Sequence, residues 1–247
     1  MAPQAKLTLH WLEKSRSHRI AWLLEETKQD YSLKLYHRDS NGKSPSLSNV
    51  SETGQSPILE FDFGVEPTYK LVESGHIVDC MINCYDPQGL LKSKTEESKV
   101  EVGFLLFFSE ASIGEQIDSI VLLNNSLKDT DQDNSIISKF VEQVKTNKIY
   151  PTLNKQLTFL ENKLSEESKK ASTDSLFFVD DKLTGADIIL LFTIHFILES
   201  GIVESVDSKD YPLLSKWLEQ MKSRPALIKA NERIETEGQG EYPIWFN

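Results

Sequence analysis

Gly54-Gln55-Ser56-Pro57-Ile58-Leu59-Glu60 and Leu71-Val72-Glu73-Ser74-Gly75 decide how this chain reads. The first sets a proline directly before a short apolar strand. The second ends another strand and opens a helix with an acid and a hydroxyl side by side. An X-Pro bond reaches the cis form at about 0.5–1 kcal/mol, far less than any other peptide bond. A cis bond at Ser56-Pro57 would turn the backbone N–H and C=O of Ser56 outward, where an extended peptide can pair with them by strand addition. A helix beginning at Ser74 offers unpaired N–H groups and the positive end of its dipole, which together suit an anion. The Ser74 hydroxyl can add a hydrogen bond to a bound carboxylate, and Glu73 can accept one from an ammonium group. Each feature also has a plain structural use, the proline in a turn before an edge strand and Ser74 as an N-cap.

Outward from these stretches the first third of the chain reads as alternating strands and helices. Leu7–Trp11 alternates as a strand does, with Leu12 extending it, and from Ser17 the residues Ile20, Leu23, Leu24 and Thr27 share a helical face. Tyr31–Tyr36 alternates again. Residues 38–53 are rich in Ser, Asn and Gly and lack a period, which suits an irregular segment with a helical turn. Ile58–Phe61 and Tyr69–Val72 are short strands joined through Gly64 and Pro67 as a hairpin, and Ile77, Met81, Ile82 and Tyr85 repeat at helical spacing. The order is βαβ, an irregular segment, then ββα.

Asp86-Pro87-Gln88-Gly89 interrupts the pattern, so the reading sets an α/β domain over residues 1–86 and an all-helical domain over residues 92–247. Beyond the break strand signals almost vanish. The spacing predicts a long helix over 96–123 and another over 136–164, kinked or split around Pro151, with polar loops at 124–134 and 166–174. Thr184 and Asp187 resemble a capping box before a helix that is apolar nearly all round, and such a helix is buried. Two more helices are predicted over 212–221 and 226–234.

The 247 residues carry a net charge of −11, divided as −3 over residues 1–89 (9 basic, 12 acidic) and −8 over the rest (18 basic, 26 acidic). That balance argues against a nucleic-acid or anionic-membrane surface, which needs clustered Lys and Arg. The longest apolar run, Ile188–Leu198, is about half the roughly 20 residues a membrane span requires. With no secretory signal at the start, the expectation is a soluble, cytoplasmic protein. Cys80 and Cys84, the only cysteines, lie four apart on a predicted helix and read as small core residues. The five histidines show no metal-ligand spacing, and no metal is expected. Phe104, Phe107 and Phe108 suit core packing by their spacing, and the wall of an apolar substrate pocket as the alternative.

The βαβ–ββα half, with Ser-Pro before its third strand and Glu-Ser opening its last helix, resembles the thioredoxin-like domain of glutathione transferases. The helical half, with Leu183-Thr184-Gly185-Ala186-Asp187 opening a buried helix, is similar to the second domain of that family, and Ser15-Arg16-Ser17-His18-Arg19 looks most like its fungal and bacterial serine-type members. The resemblance covers most of residues 6–225. It implies that the Ser56 backbone, next to Pro57, pairs with the cysteinyl part of glutathione, and that Glu73 and Ser74 hold its γ-glutamyl end. It also implies a hydroxyl that stabilises the thiolate. Ser15 stands four before Arg19, as the acting serine does in serine-type members, with Ser17 the alternative; the place of Ser17 suits an N-cap. Lys43 is the candidate for the glycine carboxylate, with Arg38 as the other choice, and Gln55 is placed to touch the peptide. One departure is visible, Glu52-Thr53-Gly54 standing where the family usually has Pro-Leu-Gly.

The resulting expectation is an enzyme that adds the glutathione thiolate to an apolar electrophile, with peroxide reduction as a side activity. It needs no cofactor beyond glutathione as co-substrate. The alternative is a glutathione-binding or regulatory protein without turnover, since function lives in the site and not the fold. The resemblance further implies a homodimer. The aromatic tail over residues 235–247 is expected to dock on the second domain or over the substrate cleft.

Overall fold

The computed structural model describes residues 5–40, 42–128 and 135–244. β1 (Lys6–Leu12), buried on both faces over its last four residues, is a central strand of a four-stranded sheet in the order β2-β1-β3-β4. β1 runs parallel to β2 (Tyr31–Tyr36), across the helical crossover α1 (Ser17–Glu26), and antiparallel to β3 (Ile58–Asp62), which pairs antiparallel with β4 (Tyr69–Val72). A parallel pair needs such a crossover, whereas β3 and β4 close as a hairpin. Leu9 pairs with Leu33 and with Leu59, so one face of the sheet is apolar across three strands. Helix α2 (Ser74–Cys84) follows β4, and its end meets that face where Tyr85 packs on Phe61. On the other face Leu12, Ile58, Tyr36 and Val72 pack with Leu47 and Val50 from the irregular segment, where Pro45–Asn49 forms a 3-10 turn. The thioredoxin-like expectation is met element by element.

That second face also buries a polar group. His10 lies between strands with its Nδ1 2.8 Å from the Tyr36 hydroxyl and its Nε2 3.0 Å from Glu60. Burial lowers the His10 pKa, and the neighbouring Glu60 only partly opposes this. The unfolded chain therefore takes up a proton near pH 6.5 that the fold resists, so stability is fully present above that pH and is lost as pH falls below it. The His10 contribution to the denaturant midpoint is therefore expected to drop between about pH 7 and pH 5. His10→Gln should flatten that slope by up to about 1.4 kcal/mol per pH unit. An unchanged slope would show that His10 titrates normally.

The remainder is helical. α3 (Glu96–Phe107) runs through a π-helical turn at Phe108–Ile113 into α4 (Gly114–Lys128), and α5 (Ser135–Val144) runs through a second one at Lys145–Ile149 into α6 (Tyr150–Lys170). The predicted break near Pro151 therefore lies just before it. Pro151 sits in the first turn of α6, where its missing N–H removes nothing, and the widened π turn makes the irregularity. The expected loop at 166–174 is helical to Lys170, with Lys169 and Lys170 in the last turn favoured by the dipole. Of the loop expected at 124–134, residues 124–128 are helical and 129–134 lie outside the described residues. α7 (Gly185–Glu199) is buried almost throughout. α8 (Pro212–Lys222) and α9 (Pro225–Glu237) follow. Among the described residues no helix is long and apolar enough to cross a membrane.

Contacts divide the chain into two units, Met1–Lys92 with Met221–Asn247, and Ser93–Gln220. Residues 221–244 thus pack with the sheet unit, whereas the sequence reading ran the second domain to 247. The cause is a charged seam. Arg224 donates from Nε and Nη2 to Glu26 of α1 at 2.6 and 3.1 Å. Lys229 pairs with Glu25 at 2.7 Å, and the Arg233 guanidinium lies 3.9 Å over the Tyr31 ring. Two other expectations change. Cys80 is half-buried and Cys84 exposed, so neither is a core residue. Phe104 and Phe107 are exposed, and Phe104, Phe108 and Phe159 form a surface aromatic cluster in place of a core.

Candidate functional site

β1 ends at Leu12, and the loop Glu13-Lys14-Ser15-Arg16 turns the chain into α1 with Lys14 in the left-handed region at φ 47°. This turn brings Ser15 to the helix start. Its Oγ accepts from the Ser17 backbone N–H at 3.1 Å and donates to the Leu12 carbonyl at 2.8 Å. Ser15 thus supplies the cap that the sequence reading gave to Ser17. The residue at the N-cap position, Arg16, makes no side-chain cap bond, and Ser17 is the first helical residue. The Ser17 hydroxyl instead accepts from the Leu12 N–H at 3.3 Å and lies 2.8 Å from Ser15 Oγ.

The third hydroxyl comes from a segment about 40 residues away. Ser56 Oγ lies 3.5 Å from Ser15 Oγ and in close hydrogen-bond contact with Ser17 Oγ. The Ser56-Pro57 bond is cis, and among the described residues the backbone N–H and C=O of Ser56 have no hydrogen-bond partner. Pro57 is buried while Gln55 is exposed. Each hydroxyl has one proton and two acceptor positions. Ser15 spends its proton on Leu12, so it must rotate away to donate to anything else. Ser17 is fully buried, whereas Ser15 keeps 7% of its surface open.

At the start of α2 the structure places Glu73, not Ser74, at the N-cap position, with no side-chain cap bond. Glu73 has φ 69° and ψ 112°, a conformation that a residue with a side chain rarely adopts. Such residues persist where their surroundings hold them, and they cluster at ligand clamps. Glu73 is exposed, and Ser74 is buried as the first helical residue.

Of the two basic candidates, Arg38 is already engaged. It donates to the carbonyls of Glu13 at 3.2 Å, Lys14 at 3.2 Å and Gly42 at 2.7 Å, and its backbone N–H donates to Glu13 Oε1 at 2.7 Å. Lys43 is exposed in a loop closed by backbone hydrogen bonding to Asp39. Burial pushes the Glu13 carboxyl up, but the Arg38 N–H and the adjacent His37 outweigh it and hold Glu13 below its ordinary value. Sequence reasoning missed Glu13 and Arg38 as organisers of the loop before Ser15. No motif marks them, because the Arg38 guanidinium binds backbone carbonyls and Glu13 binds a backbone N–H and a histidine 24 positions away.

The sequence and the fold match known proteins. The model for the glutathione S-transferase N-terminal domain matches residues 6–79, and that for the C-terminal domain matches residues 135–225. Glutathione S-transferase 1 of Saccharomyces cerevisiae is 26% identical over 237 residues, covering 94% of this chain and 97% of the relative. Glutathione S-transferase 3 of Schizosaccharomyces pombe is 29% identical over 231 residues, covering 93% and 88%. Among solved structures, the nitrogen regulation fragment of the yeast prion protein Ure2p aligns with a TM-score of 0.72 at 20% identity, covering 94% of this chain and 98% of that one.

Proposed function

The chain belongs to the glutathione S-transferase family and is a glutathione transferase; from that premise we propose that Ser15 activates the glutathione thiol for addition to apolar electrophiles. The observation that carries this reading is the meeting of the Ser15, Ser17 and Ser56 hydroxyls at the start of α1, beside a Ser56 backbone with both groups open. An extended peptide paired with Ser56 would set its thiol near the one hydroxyl of the serine-15/serine-17 pair that retains an open surface. Ser15 then rotates off Leu12 and donates to the sulfur, and the helix N-terminus adds its positive field. The thiol proton leaves to solvent, and the thiolate forms the new S–C bond as the electrophile either opens an activated double bond and takes up a proton or, as with a chloronitroaromatic, releases chloride. The same thiolate can reduce a peroxide, breaking the O–O bond to release an alcohol or water and becoming a sulfenic acid, which a second glutathione converts to the disulfide with loss of water.

Glu73 and Ser74 are assigned to the γ-glutamyl end of glutathione, Glu73 to its ammonium group and Ser74 to its carboxylate. Lys43 is the free basic choice for the glycine carboxylate, and Gln55 flanks the peptide. Ser74→Ala is expected to weaken glutathione binding about tenfold, the worth of one hydrogen bond to a charged group. Calorimetric titration of both proteins checks this, and equal affinities would remove Ser74 from the site.

A second copy is the partner we assign to two apolar surfaces, one on the β3–β4 hairpin (Phe63, Val65, Tyr69) and one on α3 and α6 (Val100, Phe104, Phe107, Phe159). The cytoplasm is the proposed compartment. A non-catalytic, regulatory role has one observation in its favour, because Ser15 already has an acceptor for its proton in Leu12. The fold is also shared with a nitrogen regulation fragment. The deciding experiment is conjugation of glutathione to a chloronitroaromatic electrophile. Turnover supports the enzyme, and binding of glutathione without turnover supports the regulator.

A further inference from the structure

The sheet unit ends in a device that reaches back to the loop bearing Ser15. α9 is held on α1 by the seam of Arg224, Lys229 and Arg233 and by His18 Nε2, 2.6 Å from Asn231 Oδ1. At its end Gly238-Gln239-Gly240 reverses the chain. Gly238 N–H donates to the Ile234 carbonyl at 2.8 Å and Gly240 N–H to the Glu235 carbonyl at 3.0 Å, with Gln239 and Gly240 both in the left-handed region at φ 53° and 75°. This closes a C-terminal helix cap of the kind that glycine permits. A Cβ on Gly238 would come within 2.6 Å of the Tyr242 ring and 2.7 Å of the Ile234 carbonyl, so the reversed tail lies flat against the helix end.

The reversal sets Tyr242 on the edge of the sheet. Its ring stacks on His37 with centroids 4.0 Å apart and planes 9° apart, and it meets Trp11 of β1 edge-on at 6.2 Å. His37 Nδ1 lies 3.1 Å from Glu13 Oε2. The other Glu13 oxygen holds the Arg38 N–H, and the Arg38 guanidinium holds the carbonyls of Glu13 and Lys14. Ser15 is the next residue. Tyr242 thus connects, through two side chains and a guanidinium, to the strained turn that aims the Ser15 hydroxyl. Glu13 and Lys14 belong to the turn itself and Arg38 binds its carbonyls directly, whereas His37 and Tyr242 act on it at one remove.

We propose that Tyr242 and His37 are positioning residues for Ser15, so that the C-terminal tail sets the geometry of thiol activation. This deepens the reading above and rests on it. Ser56 precedes β3, and Glu73 and Ser74 lie at the start of α2, so the docking of the cysteinyl and γ-glutamyl parts of glutathione there should not depend on the tail. The tail therefore acts on the state of the bound thiol and on kcat, not on affinity.

The test is a titration of bound glutathione by the ultraviolet absorbance of its thiolate, run on the full chain and on Tyr242→Ala, Tyr242→Phe, His37→Ala and the Tyr242→Ala/His37→Ala double variant. In Tyr242→Ala the thiol should titrate about half a pH unit higher, with kcat down about two- to threefold near pH 6.5 and KM for glutathione unchanged. Tyr242→Phe keeps the stacked ring and should restore the native titration. His37→Ala, at an exposed residue away from α9, should match Tyr242→Ala, and the double variant should be no worse than either, because all three break one chain of contacts. A native protein that lowers the thiol pKa alongside a Tyr242→Ala protein that lowers it equally overturns this inference alone. So does a double variant whose loss is the product of the two single losses. A native protein that binds glutathione with an unshifted thiol overturns the functional reading, and this inference with it.

Discussion

Ser15→Ala is expected to slow conjugation between about 6-fold and 50-fold near pH 6.5 while glutathione affinity stays within about twofold. The range follows from the thiol. A free cysteine-like thiol with a pKa near 8.5 is about 1% thiolate at that pH, and one lowered by about two units is half thiolate, a gain of about 50-fold. A less basic thiolate is also a weaker nucleophile, with a Brønsted slope of about 0.4–0.5, which returns about eightfold of that gain. The lower bound applies if that slope acts in full, and the upper bound if it does not act. The pH dependence is the sharper test. As pH rises toward about 9 free thiol ionises without help, so the two proteins should converge. A variant that is slower by a constant factor at every pH would mean that Ser15 orients the substrate and does not lower its pKa. Unchanged conjugation at pH 6.5 would sink the assignment. Ser17→Ala gives the comparison. With Ser17 fully buried and bonded to Leu12 and Ser15, its loss should show first in stability.

The largest expected loss of stability comes from Asp187. Its carboxylate is fully buried and accepts from four donors, the Thr184 N–H at 2.9 Å, the Thr184 hydroxyl at 3.2 Å, the Phe178 N–H at 3.2 Å and the Trp217 indole N–H at 3.0 Å. One side chain thereby caps α7, closes the preceding loop and ties in α8. Asp187→Ala leaves these donors buried without acceptors, and each unsatisfied group costs about 1–3 kcal/mol. With some relaxation the expected loss is about 3–5 kcal/mol, or about 10 °C in the melting temperature. Asp187→Asn keeps the shape but turns an NH2 toward two of the donors, so it should be nearly as damaging. Burial also pushes the Asp187 carboxyl up to about 6 in spite of its donors. The folded value lies above the unfolded one, so this group's contribution is fully present below about pH 4 and is lost as pH rises through about 6. Asp187→Ala should remove that slope. A loss below about 1 kcal/mol would show that the four bonds are dispensable.

The local elements of the fold were legible because period and burial coincide in them. The strands alternate, α6 buries Leu153, Leu157, Leu160 and Leu164 on one stripe, and Thr184 with Asp187 marks the start of α7 as a capping box. The helix irregularities were harder to place, since a π turn widens a helix without interrupting its hydrophobic pattern. The cysteines were misread because four-residue spacing tells which residues share a face and not what that face meets. The same holds for Phe104 and Phe107, whose spacing suits a core and whose side chains face outward.

Within the candidate site, the sequence by itself determined the residue types and their order: a serine pair after the first strand, Ser-Pro before the third, and Glu-Ser at the last helix of the sheet domain. These are local signals, set by turn chemistry and helix starts over a few residues. Tertiary structure decided which serine caps α1, because that depends on how the Ser15, Ser17 and Ser56 hydroxyls share their three protons and the Leu12 backbone groups. It also decided the left-handed conformation of Glu73, which its neighbours in space impose against its own preference. Only the folded chain could bring Tyr242 to His37, 205 positions apart in the sequence. Packing that closes such distances leaves no period behind it, because each partner satisfies its own neighbourhood and the contact appears only when the two are brought together.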